Sequence, residues 1–207
     1  MSFSLPLSAV LPQGTRRICV ADPAAAEHLL VLGIETPDST LRDAARAKVR
    51  SVARVALGAI LACRAQSVPL VSSPGQPLRV DLPGRLIGLS VSHEAGLSLL
   101  AINLHGAVGV DLMRLDQQFD WASDWQPVAH DYLGTDASAA IAAAPAARRQ
   151  KMFANQWTAL EASLKCNGSP LAEADAVCDQ GMRRCRTIAL ELPANMVGTL
   201  ALLDPVQ

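Results

Sequence analysis

Small apolar residues at Ala45, Val49, Val52, Ala56 and Ile60 recur at helical spacing within residues 37–65, and Asp38 or Ser39 is placed to cap the helix they predict. A second stripe, Phe153, Trp157, Leu160 and Leu164, predicts another long helix, opened by Pro145 and closed by Gly168. Between and after these helices the pattern turns to β: residues 86–89, 97–102 and 108–112, then "RRCRTIALEL" and "MVGTLALL". The segments "SVSHEAG" and "NLHGA" predict loops between neighbouring strands. Residues 17–34 predict a short strand, a turn at Pro23 and a brief helix, and "ASAAIAAA" a further helix. Residues 114–135 hold most of the few aromatics (Phe119, Trp121, Trp125, Tyr132) and predict a partly irregular stretch.

A long helix followed by strands thus occurs twice. The order predicts an α+β fold of two similar lobes related by a pseudo-twofold, each a long helix on a small, mostly antiparallel sheet. The lobes would divide the chain into residues 1–105 and 106–207, with a ligand cleft between them. One chain carrying both would complete the cleft as a monomer.

Composition narrows the function classes. Half of the 207 residues are hydrophobic and 18% are charged, which supplies a substantial core and excludes a disordered chain. A formal net charge of −1 provides no general attraction to nucleic acid or to an anionic membrane, so an anionic ligand must be met by local cations. The five cysteines (Cys19, Cys63, Cys166, Cys178, Cys185) are odd in number and include no C-x-x-C pair, against a disulfide framework or a zinc site. No basic-then-apolar leader opens the sequence and no run approaches the ~20 apolar residues of a membrane span. The expectation is a cytoplasmic protein with neither nucleic acid nor membrane as partner.

Three groups of polar residues stand out. On the first long helix Arg42, Arg46, Arg50 and Arg54 stand four residues apart and form one ridge, either a solvated face or a wall that meets phosphate. On the second, Glu161 lies roughly 70° from the centre of the apolar stripe and Lys165 about 110°, at i and i+4. Alone, that pair is an ordinary surface salt bridge. Asp111 closes the apolar run "GAVGVDLM", where an aspartate commonly just ends a strand. Ser92 and His93 stand together in "SVSHEAG".

Taken in order, "SVSHEAG", "VGVDLM" and "WTALEASLK" resemble the signature of the 4′-phosphopantetheinyl transferase superfamily, in its larger, pseudo-dimeric, surfactin-synthetase-activating type. The intervals of 18 residues from His93 to Asp111 and 50 from Asp111 to Glu161 look like those of the family. "PGQPLRV", "VAHDYL" and "CNGSPL" extend the likeness across most of the chain. The resemblance implies Mg2+-dependent transfer of the 4′-phosphopantetheine arm from coenzyme A to a serine of an apo acyl or peptidyl carrier protein, a holo-[acyl-carrier-protein] synthase type of activity. Such enzymes serve fatty-acid, polyketide or nonribosomal-peptide biosynthesis.

By the same resemblance Asp111 and Glu161 are metal ligands, Glu161 doubles as general base, and Lys165 contacts the diphosphate. Ser92, His93, Arg50 and Arg54 would hold coenzyme A, placing nucleotide contacts in the first lobe and acidic residues with the signature helix in the second. The sequence departs from the pattern at Gln76 and Leu160, where the family carries lysine, and at Met113, where it carries an acid. Those departures motivate an alternative, a degenerate relative that binds coenzyme A or a carrier protein without efficient transfer.

Overall fold

The computed structural model describes residues 11–22, 25, 27–73, 76–115, 125–174 and 185–203. In chain order its elements are β1 (Thr15–Arg17), β2 (Leu29–Glu35), α1 (Arg42–Ile60), β3 (Leu70–Val71), β4 (Arg79–Val80), β5 (Gly88–Glu94), β6 (Leu97–Asn103) and β7 (Val108–Arg114). Then follow α2 (Trp125–Val128), which continues as a π-helical turn over residues 129–133, α3 (Thr135–Ala143), α4 (Ala146–Asn167), β8 (Cys185–Ala189) and β9 (Met196–Leu203). The strands form an antiparallel sheet of order β1-β2-β6-β5, an antiparallel sheet of order β7-β9-β8 and the small hairpin β3-β4. The architecture is α+β, as expected.

Alternation along the strands decides what each face meets. Leu30, Leu32 and Ile34 of β2, with Leu100 and Ile102 of β6, pack against Val49, Val52, Ala53, Ala56 and Leu57 of α1. Leu29 and Val31, with Leu97, Leu99 and Ala101, turn the other way and meet Val108, Val110 and Leu112 of β7 and Leu200 and Leu202 of β9. Beyond β7 and β9, Ala201 packs on Ala162 and Cys166 of α4. The buried clusters therefore run helix, sheet, sheet, helix. Each fully buried aliphatic side chain contributes roughly 1.5–3 kcal/mol, so most of the stability lies in these contacts.

Three sequence expectations are corrected here. The brief helix expected before residue 34 is the central strand β2, whose six residues from Leu29 to Ile34 are all buried. Covered on both faces, it shows no polar alternation, and a short continuous apolar run does not reveal its period. "SVSHEAG" is not a loop: Ser90 to Glu94 belong to β5, and only Ala95 and Gly96 turn the chain into β6. Nor do Asp38 or Ser39 cap α1. Leu41 holds that position without a side-chain cap, and the Asp38 carboxylate instead accepts from Arg114 Nη1 at 2.9 Å.

Other expectations hold more closely. Pro145, expected as the first helical residue, is instead the N-cap one position before α4, and Gly168 ends the helix as expected with φ +67°, a left-handed conformation that glycine adopts without a Cβ clash. Ser169 N donates back to Leu164 O at 2.9 Å, satisfying an end carbonyl. Phe119 and Trp121 lie outside the described residues. Trp125 joins Ile141 and Phe153 in a small core, with Met113 and Trp157 packed against it.

Candidate active site

A cavity of about 1550 Å³ opens between α1 and the β7–α4 region, with β5 along its floor. On one side stand Arg42, Arg46, Arg50 and Arg54, so the whole arginine ridge of α1 lines the cavity. Arg42 and Arg46 are exposed, and Arg50 and Arg54 half-buried. Opposite them are Asp111 from β7 and Trp157, Glu161 and Lys165 from α4. Ser92 and His93 of β5 lie between the two sides, and every residue singled out from the sequence as a site residue borders this one space.

Glycine explains how α4 comes so close to Asp111. A Cβ placed on Gly109 would collide with the Ala162 carbonyl oxygen and stand 2.7 Å from the Cys166 amide nitrogen, so the helix backbone rests directly on the strand. Thr158 Oγ1 and Thr199 Oγ1, 2.8 Å apart, tie α4 to β9. Even-numbered residues of β7 face the core between the sheets, which leaves Asp111 on the side of α4.

Lys165 does not form the i, i+4 salt bridge with Glu161. Its Nζ lies 2.6 Å from Asp111 Oδ1 and 3.3 Å from Val110 O. Ser92 Oγ donates to the same Oδ1 at 2.9 Å and accepts from Leu112 N at 3.2 Å. One residue pair back, Ser90 Oγ accepts from Val110 N at 2.9 Å. The edge of β7 is thereby held by hydroxyl groups of β5 rather than by a backbone ladder. Ser90 was not foreseen from the sequence, although its period-two spacing from Ser92 places both on one strand face.

Charge within the cavity is unevenly compensated. Burial raises the Glu161 pKa above its ordinary value, the nearby Asp111 charge adds to this, and Lys165 opposes it. Burial likewise raises Glu94, a further cavity carboxylate that sequence reasoning did not single out. His93 is pushed down to about 4, first by burial and then by Arg46, Arg42, Lys165 and Arg50. It is therefore neutral at physiological pH. Its Nδ1 lies 2.8 Å from Ser98 Oγ on the adjacent strand, leaving Nε2 for a ligand.

Arg114, also unforeseen, reaches from the end of β7 to Asp38 and to Ala95 O at 3.1 Å, pinning the β5–β6 turn at the rim. Trp157 stacks on Phe153 with ring centroids 5.8 Å apart and meets the edge of Tyr132 at 5.9 Å, which anchors the turn of α4 before Glu161. Of the three departures, Gln76 and Met113 border the cavity. Leu160 is only 5% exposed and belongs to the buried side of α4.

No curated protein matches the chain. A family model does match residues 107–201, a segment that begins just before β7 and ends within β9. The model is that of the 4′-phosphopantetheinyl transferase superfamily, and Asp111, Glu161 and Lys165 all fall inside the matched segment.

Proposed function

We propose that the protein transfers the 4′-phosphopantetheine arm of coenzyme A to a serine of an apo acyl or peptidyl carrier protein, acting as a cytoplasmic monomer with Mg2+. The observation that carries this reading is the convergence of Asp111, Glu161 and Lys165 on one side of a cavity whose other side is four arginines. The superfamily match supports the type of reaction.

The reaction joins the serine oxygen to the phosphorus that bears the pantetheine arm and breaks that phosphorus's bond to the remaining nucleotide phosphate, releasing 3′,5′-ADP. Glu161, whose pKa burial raises, takes the serine proton, directly or through water. Lys165 meets the diphosphate as negative charge moves to the leaving group. Arg50, Arg54 and neutral His93 hold the nucleotide phosphates, placing coenzyme A contacts in residues 1–105 and the acidic residues in residues 106–207. The two halves then act as pseudo-twofold lobes around the cleft.

Asp111 and Glu161 fit a hard divalent cation by donor chemistry: both are carboxylates, and they are close enough for the charge of one to raise the pKa of the other. Among the described residues no set of three or more His, Cys, Asp or Glu suited to a metal is found. Mg2+ commonly binds through one or two carboxylates and completes its shell with water and substrate oxygens. When bound it would supply charge neutralisation at the diphosphate.

The test is incubation with coenzyme A, Mg2+ and a panel of apo carrier proteins, with mass spectrometry of the carrier. Attachment of the arm is expected, and Glu161→Gln and Asp111→Asn should each lower the rate by about 10²–10⁴-fold while leaving the fold intact. Tight coenzyme A binding without transfer to any carrier would replace this reading with that of a binding protein. Near-normal turnover in both variants would remove the proposed metal site.

A further inference from the structure

Resemblance assigns Ser92 to coenzyme A, but its hydroxyl is already committed. It carries one proton, which it donates to Asp111 Oδ1 at 2.9 Å, and it accepts from Leu112 N at 3.2 Å. Phosphate oxygens only accept, so Ser92 can donate to a phosphate only by releasing Asp111. Ser92 is 7% exposed, and Asp111 is equally buried. Lys165 Nζ, at 2.6 Å, takes the same Oδ1, so among the described residues both side-chain hydrogen bonds of Asp111 fall on one oxygen.

We infer that Ser92 is a positioning residue: together with Lys165 it fixes one oxygen of Asp111, so that the other is presented to the divalent cation. This rests on the reading of Asp111 as a metal ligand. Ser90 provides the internal control, because it makes the equivalent bond to the next β7 amide, Val110 N at 2.9 Å, without touching the carboxylate.

The experiment titrates Mn2+ into protein saturated with coenzyme A, without carrier, and follows free Mn2+ by electron paramagnetic resonance. Coenzyme A affinity is measured separately in EDTA. Ser92→Ala is expected to weaken Mn2+ binding by about 10–100-fold, the usual range for losing a group that orients a metal ligand, with coenzyme A affinity in EDTA unchanged. Ser92→Thr should restore most of the Mn2+ affinity, and Ser90→Ala should retain the wild-type value. Should Ser92→Ala not fold, Ser92→Cys, a weak donor of similar size, is expected to shift Mn2+ binding in the same direction.

Unchanged Mn2+ affinity with weakened coenzyme A binding in Ser92→Ala would make the hydroxyl a phosphate contact and overturn the inference. Equal weakening in Ser90→Ala and Ser92→Ala would overturn it too, reducing both serines to the joint between strands. Wild-type Mn2+ affinity in Asp111→Asn is a separate result: it would remove the metal reading itself, and the inference with it.

Discussion

Helix α1 rests on its sheet through interdigitated side chains, Val49, Val52, Ala56 and Leu57 against Leu30, Leu32 and Ile34, whereas α4 comes down on the bare backbone of β7 at Gly109. The two ways of docking suit two tasks. A row of four arginines works through a summed potential, which changes little if the helix shifts by a few tenths of an ångström. On the proposed reading Glu161 shares a cation with Asp111, which needs a fixed separation, and backbone seated on backbone provides it. One side of the cavity supplies charge and the other supplies position.

Gly109→Ala should break the second arrangement most severely. The atom in the way is a backbone carbonyl, so α4 itself must move. A loss of about 3 kcal/mol in chemical denaturation is expected, and the folded fraction should transfer about 100-fold more slowly, the effect of misplacing reacting groups by about 1 Å. Wild-type stability in this variant would show that α4 has room to spare.

The arginine side should fail gradually. Replacing Arg42, Arg46, Arg50 or Arg54 singly by alanine should raise KM for coenzyme A by about fivefold or less, with kcat unchanged, because a partly exposed charge contributes about 1 kcal/mol or less. The losses should accumulate across multiple replacements and shrink in high salt. An abrupt loss of kcat from one replacement would give that arginine a positional role like those on α4.

His93 senses the same arginines and gives a pH signature. Its folded-state pKa of about 4 lies below the ordinary 6.5, so the unfolded chain binds the proton more readily. The stabilising contribution of the neutral ring is complete above about pH 6.5 and is lost as pH falls toward 4. Denaturation midpoints of wild type and His93→Gln should therefore converge or cross on acidification through that window. A constant difference would contradict the burial and arginine field that hold the ring neutral.

The smallest effect concerns Cys166, whose thiol is pushed up to about 12 by burial first and by neighbouring Cys185 next. Iodoacetamide at pH 8 should modify exposed Cys19 and Cys63 well before Cys166. Because the Cys166 amide is part of the contact at Gly109, early labelling of Cys166 would report that α4 leaves its seat in solution.

Much of the site was legible because helices write their faces into sequence. The stripe through Phe153, Trp157, Leu160 and Leu164 placed Glu161 at a border, and the structure finds it half-buried beside the cavity. The same geometry places Leu160, one of the departures, a hundred degrees around the helix from Glu161 and on the core side. Strands were harder. β2 was hidden by burial on both faces, and β5 by polar residues whose partners are amides in a distant segment. A serine that completes another strand's hydrogen bonds looks, in one dimension, like a serine in a loop. Lys165 was placed near phosphate by resemblance, and nothing in its spacing foretold its contact with Asp111.

The joint between β5 and β7 has a further use. The amide protons of Val110 and Leu112 flank Asp111 and are received by hydroxyl oxygens, with no strand ladder on that side to lock them. Their deuterium exchange is consequently a native clock set within one residue of the site, paced by the fraction of time the two hydroxyls let go. Each added component, nucleotide, cation or carrier, can be timed by how far it slows that clock, without attaching a probe to the protein.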